Sequence, residues 1–491
     1  MTLSSPVIPK RVVFKQELLT ECKMKILVGI ANYGTKNLGF LRTVINEYQS
    51  MQHQIDIIVF SNIPKELGPG VEVKVGLPSK NPWSLPFAHK NVFAERANDY
   101  DLFIYSEDDT LINERNIEAF LEVTRVLPKH QIAGFLRYER DTLGRKYYST
   151  VHSHFHWTPG SVKWIGDRAF ARFTNDHSAC YLLTREQLKL AIGSGGYIVE
   201  PHDERYDLLV TAATDPYTQC GLSKVICISH LEDFELHHLP NIYIGRLGLA
   251  AGEFQCQIQA LLRHNGDLGG RLFTTETNLK QERWSKAYYD TRREDILGSI
   301  SERAEKILSI GCGWGATEEA LVQRGHEVVA IPLDPIIGAC VEVKGMRVTY
   351  PDFERAYEDL SNERFHCLIF SEILEHLPDP VKILSKYANL LKDEGMIIIS
   401  APNFNNIKFR RALVSERIPL KEIKYFDKTG LHLTTPKMIG SWLAQSHLQP
   451  VRFLYSSEGR LRRLVRMMPG KLKDLIAEQY LVVARKLYCQ V

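Results

Sequence analysis

The stretch Lys306-Ile-Leu-Ser-Ile-Gly-Cys-Gly-Trp-Gly315 runs an apolar strand straight into three alternating glycines, and the helical pattern Thr317–Arg324 follows at once. A strand that ends in a glycine turn and feeds a helix opens a parallel β-α-β unit, because the bare backbone lets a ligand or another chain segment come close. A second start of the same kind, Lys25-Ile-Leu-Val-Gly-Ile-Ala-Asn-Tyr-Gly34, lies near the amino terminus. Apolar runs alternate with helical patterns after both, which predicts two α/β domains. The length, 491 residues, also exceeds one ordinary core.

In the first half the predicted strands are Ile55–Phe60, Leu102–Tyr105 and Gln131–Leu136, with Phe40–Ser50 as the crossover helix. In the second they are Glu327–Ile331, Cys367–Phe370 and Met396–Ser400, closed by Val451–Tyr455 and Tyr480–Ala484. Between about 246 and 295 the chain is mixed and polar, with turn signals at Asn265-Gly266-Asp267 and Gly269-Gly270. The expected division is a first domain over 24–245, a linker over 246–283 and a second domain over 284–491.

Composition excludes several classes of function. A formal charge of +3, with 24% charged residues, gives no footprint for nucleic acid. No run of about 18 apolar residues predicts a membrane-spanning helix, and the first residues lack the apolar core of a signal peptide. A cytoplasmic location is expected. Nine cysteines without a C-x-x-C pair point to reduced thiols and away from a zinc cluster.

Beyond the glycine turn, the second half carries Ser371-Glu-Ile-Leu-Glu-His-Leu-Pro-Asp-Pro380 directly after a strand. Next come a helix, the turn Lys392-Asp-Glu-Gly395, the strand end Ser400-Ala-Pro-Asn403, and later His432-Leu-Thr-Thr-Pro436. In this order they resemble the class I methyltransferases that use S-adenosylmethionine (SAM), especially those acting on oxygen of small molecules. The resemblance implies a Rossmann-like fold in which Gly311, Gly313 and Gly315 pass under the amino acid part of SAM. It implies a carboxylate for the ribose hydroxyls at the end of the second strand. The chain departs there: Pro332 stands at the usual acidic position and Asp334 two residues later, so either Asp334 substitutes from a shifted turn or the ribose is held more weakly. Asp352 falls where relatives often contact adenine, or else in a plain surface loop. Glu372 follows the fourth strand, where the methyl donor and acceptor meet, with Glu375 and His376 next to it. His376 reads as a base or an acceptor contact, a capping or core histidine being the alternative.

The segment 459–478 carries six Arg and Lys residues, Arg460 to Lys473, with leucines at near-helical spacing. It reads as a helical insertion packed on its own domain, or as a peripheral contact with an anionic membrane.

In the first half Glu107-Asp108-Asp109 follows the strand Asp101–Tyr105, with no cation beside it in sequence. Mutual repulsion of three acids is relieved by a divalent ion or by hydrogen bonds. The arrangement is similar to the acidic D-x-D motif of GT-A glycosyltransferases. That resemblance implies an Mn or Mg ion, held by Glu107, Asp108 and Asp109 with His237 or His238, carrying the diphosphate of a nucleotide-sugar donor. It also implies Glu204 or Asp203 as the base toward an acceptor hydroxyl. His152, His154 and His156 would share a face if on a strand; an acceptor-groove or structural role is preferred for them. The combined expectation is a two-domain α/β enzyme, GT-A-like and then methyltransferase-like, that transfers a sugar and methylates a glycan hydroxyl. The rival expectation is methylation of a small metabolite or lipid-like acceptor, the first half serving only for glycan binding or assembly.

Overall fold

The computed structural model describes residues 23–245, 247–264, 270–279, 284–415, 425–457 and 470–487. Lys25–Asn32 forms the central strand of the first sheet, and its Ile26, Leu27, Val28 and Ile30 are buried. An unbroken apolar run of this kind suits a parallel strand covered on both faces. The five-stranded sheet runs Cys180–Thr184, Leu102–Glu107, Lys25–Asn32, Gln54–Ser61 and Val71–Val75. Four of these strands are parallel, and Cys180–Thr184 is antiparallel at one edge. Two smaller sheets complete this half: one joins Gln131–Ala133, Ser223–Cys227, Arg168–Ala171 and Lys163–Ile165; the other contains Leu136–Arg140 and Glu235–His238.

The predicted single strand Gln131–Leu136 is split: Gln131–Ala133 belongs to one sheet and Leu136–Arg140 to the other. Gly134 sits at the break, where its amide donates to Val225 O at 2.8 Å. A Cβ there would lie 2.3 Å from Lys224 Cε, so the buried lysine chain occupies the space a side chain would need.

The second half is a seven-stranded sheet in the order Arg347–Val348, Glu327–Pro332, Lys306–Cys312, Phe365–Ser371, Leu391–Pro402, Gln479–Lys486, Leu448–Ser456. Gln479–Lys486 is antiparallel to both neighbours, and the first five strands are parallel. The order reverses between Lys306–Cys312 and Phe365–Ser371, so the carboxyl ends of these two strands flank the crevice where ligands settle in doubly wound sheets. The turn expected at Lys392–Gly395 is absorbed as a register shift within the long fifth strand.

The stretch expected as a linker, 246–283, contains the helix Ala251–His264. Phe254, Ile258 and Leu261 of that helix are buried in a core with Tyr148 and Trp157 of the first half and Ile336 and Ile337 of the second. Glu253 pairs with Lys344 at 2.9 Å across the same contact. The two halves therefore share apolar packing. Among the described residues no helix is long and apolar enough to cross a membrane. Of the basic segment 459–478, residues 459–469 lie outside the described residues, and a short helix, Gly470–Ile476, covers most of the rest.

Candidate active site

The glycine turn leaves the Lys306–Cys312 strand in the left-handed region, with φ of +74° at Gly311 and +83° at Gly315. Side chains are excluded there for steric reasons as well: a Cβ on Gly311 would meet Ile373 Cγ2 at 2.6 Å, and one on Gly313 would meet Tyr288 O at 2.6 Å. The Trp314 amide donates to that same Tyr288 carbonyl at 2.7 Å, so the segment just before the sheet lies over the turn. Gly315 then caps the helix Ala316–Gln323.

Beside the turn is a small recess lined by Lys286, Asp290, Arg293, the three glycines and Ser371. Lys286 is buried and donates to Ser371 O at 2.8 Å. Burial opposes its charge, yet Asp290, Glu372 and Glu375 outweigh burial and raise its pKa. Arg293 donates to Asp295 at 2.8 and 2.9 Å and to Glu372 Oε1 at 2.8 Å. Burial likewise works against the Arg293 cation, and these carboxylates again reverse the balance. Two secured cations and the Asp290 carboxylate beside bare backbone fit an α-amino acid group, whose carboxylate and ammonium they would hold.

Glu372 has φ of +53°, rare for a residue with a side chain. Its amide is held by Ser400 O at 3.0 Å, and its side chain lines a cleft of ≈ 1070 Å³. One wall of the cleft is Val151–His154 from the first half; others include Arg293, Asn406 and Lys408.

His376, expected as a base or acceptor contact or else as a capping or core histidine, lies apart from the cleft. The single turn Leu374–His376 rotates the chain after Glu372, so His376 is buried, stacked on Phe273 at 5.8 Å, and absent from the cleft lining. Burial, with help from Lys286, pushes its pKa down to about 3. Glu375 is buried too and is pushed up to about 8, by burial first and then by Glu372.

Asp334 caps the helix Pro335–Val343: its Oδ1 accepts from the Ile336 and Ile337 amides, both at 2.9 Å. Its other oxygen faces His156 Nε2 at 3.5 Å. Asp352 caps the helix Phe353–Leu360 by accepting from the Arg355 amide at 2.8 Å, a local structural task.

The metal set proposed for the first half does not assemble. No group of three or more His, Cys, Asp or Glu positioned for a metal occurs among the described residues. Asp108 accepts instead from Asn32, and from Asn37 at 2.9 Å. Asp109 lies 3.7 Å from His238 Nε2, while His238 Nδ1 meets Glu139 at 2.6 Å. His237, on the opposite face of the strand, stacks on Tyr138 and meets Asn241 at 3.1 Å. Desolvation raises Glu107 to about 7 and Asp108 to about 6, and a raised pKa eases the repulsion by favouring protonation. Glu204 is exposed and accepts from Gln219 at 2.8 Å. His152, His154 and His156 are in a turn and loop rather than on a strand: His152 and His154 line the cleft with their rings 6.4 Å apart, whereas His156 is fully buried away from it.

Lys286, Asp290 and Arg293 were not singled out from the sequence, and His156 was, but for an acceptor-groove or structural role rather than a place beside Asp334. The first three lie in a polar stretch that resembles a junction; the usable signal was the run Trp284 to Asp295, rich in aromatic and charged residues, directly before the glycine-turn strand.

A doubly wound sheet with a bare glycine turn at its switch point, beside a recess fitted to an amino acid group, defines a class I SAM-dependent methyltransferase. Residues 281–452 match the family model described as a methyltransferase domain. A ubiquinone biosynthesis O-methyltransferase of Xylella fastidiosa (strain 9a5c) is 30% identical over 170 residues, covering 33% of this chain and 67% of that protein. The enzyme of the same name from Xylella fastidiosa (strain M23) is 29% identical over 167 residues, covering 33% and 68%. One from Xanthomonas oryzae pv. oryzae (strain PXO99A) is 28% identical over 166 residues, covering 33% and 67%. The chain belongs, through its carboxy-terminal part, to the SAM-dependent methyltransferases.

Proposed function

We propose that this chain moves the SAM methyl group to a hydroxyl oxygen of a sugar-like acceptor bound in the large cleft. Oxygen as the nucleophile is carried over from the O-methyltransferases it is similar to. The acceptor class is supported by the lining of that ≈ 1070 Å³ space: His152, Asp290, Arg293, Glu372, Asn406 and Lys408 present donors and acceptors from several directions. Such walls suit a polyhydroxylated ring; an apolar phenol of the quinone type calls for an apolar wall. SAM, held beside the glycine turn by Lys286, Asp290 and Arg293, would supply an electrophilic methyl group: the acceptor oxygen would take it with S-adenosylhomocysteine as the leaving group, the hydroxyl proton passing to solvent in the cleft. Glu372, fixed by Arg293, is the carboxylate on the cleft wall suited to orient that hydroxyl. Formation of S-adenosylhomocysteine (SAH) is measured against panels of free sugars, glycosides and catechol-type phenols. Turnover confined to the phenols would reject the sugar-like acceptor.

Sugar transfer by the first half is the second reading. It is supported by the sheet order, four parallel strands with an antiparallel edge, and by Asp108 and Asp109 just beyond the tip of the strand next to the central one. Asn32 and Asn37 donate to Asp108, and His238 faces Asp109, so these acids have partners without a metal. Asp108→Asn with Asp109→Asn separates the possibilities: loss of sugar transfer indicates an enzyme, whereas unchanged methylated product indicates a binding module. We propose a cytoplasmic location and, for the basic segment 459–478, packing on its own domain, with peripheral membrane contact as the alternative; cell fractionation with and without that segment tests both.

A further inference from the structure

One loop of the first half reaches the cofactor side of the methyltransferase sheet. Ser153 O accepts from the Tyr288 and Tyr289 amides at 2.7 and 3.3 Å, and Tyr288 O accepts from Trp314 in the glycine turn. Three residues on, the His156 side chain is fully buried and stacks on Tyr288 at 4.4 Å.

The hydrogen bonds fix where its proton lies. Trp157 Nε1 can only donate, and it donates to Gln257 Oε1 at 3.1 Å. Tyr289 Oη donates to the same oxygen at 3.0 Å. With its proton committed, the Tyr289 oxygen is the acceptor for His156 Nδ1–H at 2.7 Å. With that proton on Nδ1, the Nε2 lone pair of His156 is left bare. That lone pair faces Asp334 Oδ2 at 3.5 Å, and neither atom has a hydrogen-bond partner although both are buried. Two buried acceptors side by side, with no donor between them, call for a ligand that brings two donors.

The pair lies just past the carboxyl end of the Glu327–Pro332 strand, beside the first strand of the sheet. A ribose supplies two neighbouring hydroxyl donors. We infer that the nucleoside end of the SAM site is composite: Asp334 Oδ2 accepts one ribose hydroxyl, and His156 Nε2, contributed by the first half, accepts the other. Tyr288 is fully buried and stacks on His156, so entry of the nucleoside requires its ring to move aside. The composite site also accounts for Pro332 at the usual acidic position, because Asp334 has one oxygen committed to its helix and needs a second acceptor beside it.

The inference depends on SAM as cofactor, and the experiment separates the two. Calorimetry on the full chain compares SAH with its 2′-deoxy and 3′-deoxy analogues. Wild type is expected to bind SAH and to lose about tenfold or more in affinity with either analogue, since each leaves a buried acceptor bare. No SAH binding by folded wild type would overturn the cofactor itself. His156→Leu and His156→Phe are expected to lose discrimination at one hydroxyl and keep it at the other, with thermal melts confirming the fold. Equal weakening of all three ligands would make His156 merely structural and overturn the inference. Should neither variant fold, His156→Asn and His156→Gln take their place: altered sensitivity at one hydroxyl upholds the inference, and wild-type sensitivity at both, or a wild type sensitive to only one, overturns it.

Discussion

Arg293 Nη1 lies 2.8 Å from Glu372 Oε1 and ties the segment entering the methyltransferase sheet to the tip of its fourth parallel strand. The same guanidinium grips Asp295 with two further bonds, so its plane is fixed before it meets Glu372. A planar fork of this kind holds a carboxylate in one orientation, which matters where methyl donor and acceptor must align.

Arg293→Ala is therefore expected to cut kcat/KM by about 100-fold or more, since it releases Glu372 and removes a cation from the recess. Arg293→Lys restores only part of this, because an ammonium cannot reproduce the fork. Steady-state assays of SAH release check both; an alanine variant within threefold of wild type would refute the role.

Gly313→Ala places a methyl group 2.6 Å from Tyr288 O. The expected result is displacement of the Trp284–Tyr289 segment and SAH affinity lower by about tenfold or more. Calorimetry alongside a melting curve distinguishes lost binding from lost fold.

Glu375, pushed up to about 8 by burial, sets a pH dependence. Its ordinary value is 4.5, so between about 4.5 and 8 the unfolded chain gives up this proton while the folded chain keeps it. Stability contributed by the neutral carboxyl thus falls as pH rises through that window and levels off above it. Glu375→Gln is expected to flatten the fall and raise Tm at pH 8 by about 3–6 °C relative to wild type, with little change at pH 4. Thermal melts across pH 4–9 measure it.

Lys90 and Asp215 form a fully buried ion pair in the first half, with His202 Nε2 3.3 Å from the second carboxylate oxygen. Removing one partner strands the other charge away from water. Lys90→Met is expected to cost about 3–5 kcal/mol, and adding Asp215→Leu to recover much of it. Chemical denaturation of the single and double variants tests this; a double variant no more stable than the single would show that the pair is not coupled as described.

Sequence alone located the methyltransferase sheet well. The strands Lys306–Cys312, Glu327–Pro332 and Cys367–Phe370 within Phe365–Ser371 are long apolar runs, and a buried parallel strand demands such a run wherever its neighbours lie; the antiparallel Gln479–Lys486 is apolar too, whereas Leu448–Ser456 is a largely exposed edge. Gly311, Gly313 and Gly315 were legible because their conformation and crowding forbid side chains. The break at Gly134 was not legible, because it depends on Lys224, distant in sequence.

The site was legible only in part. The position of Glu372 on the cleft wall was legible, since it directly follows the Phe365–Ser371 strand. Its separation from His376 depends on a left-handed residue and one tight turn, which no periodicity reveals. The acids at 107–109 were visible as charges, but whether they meet a metal or amides was decided by Asn32, Asn37 and His238 arriving from other strands and loops. Local pattern determines what a segment must bury; which polar atoms then face each other, as His156 and Asp334 do across more than a hundred residues of chain, is set only when the sheets pack.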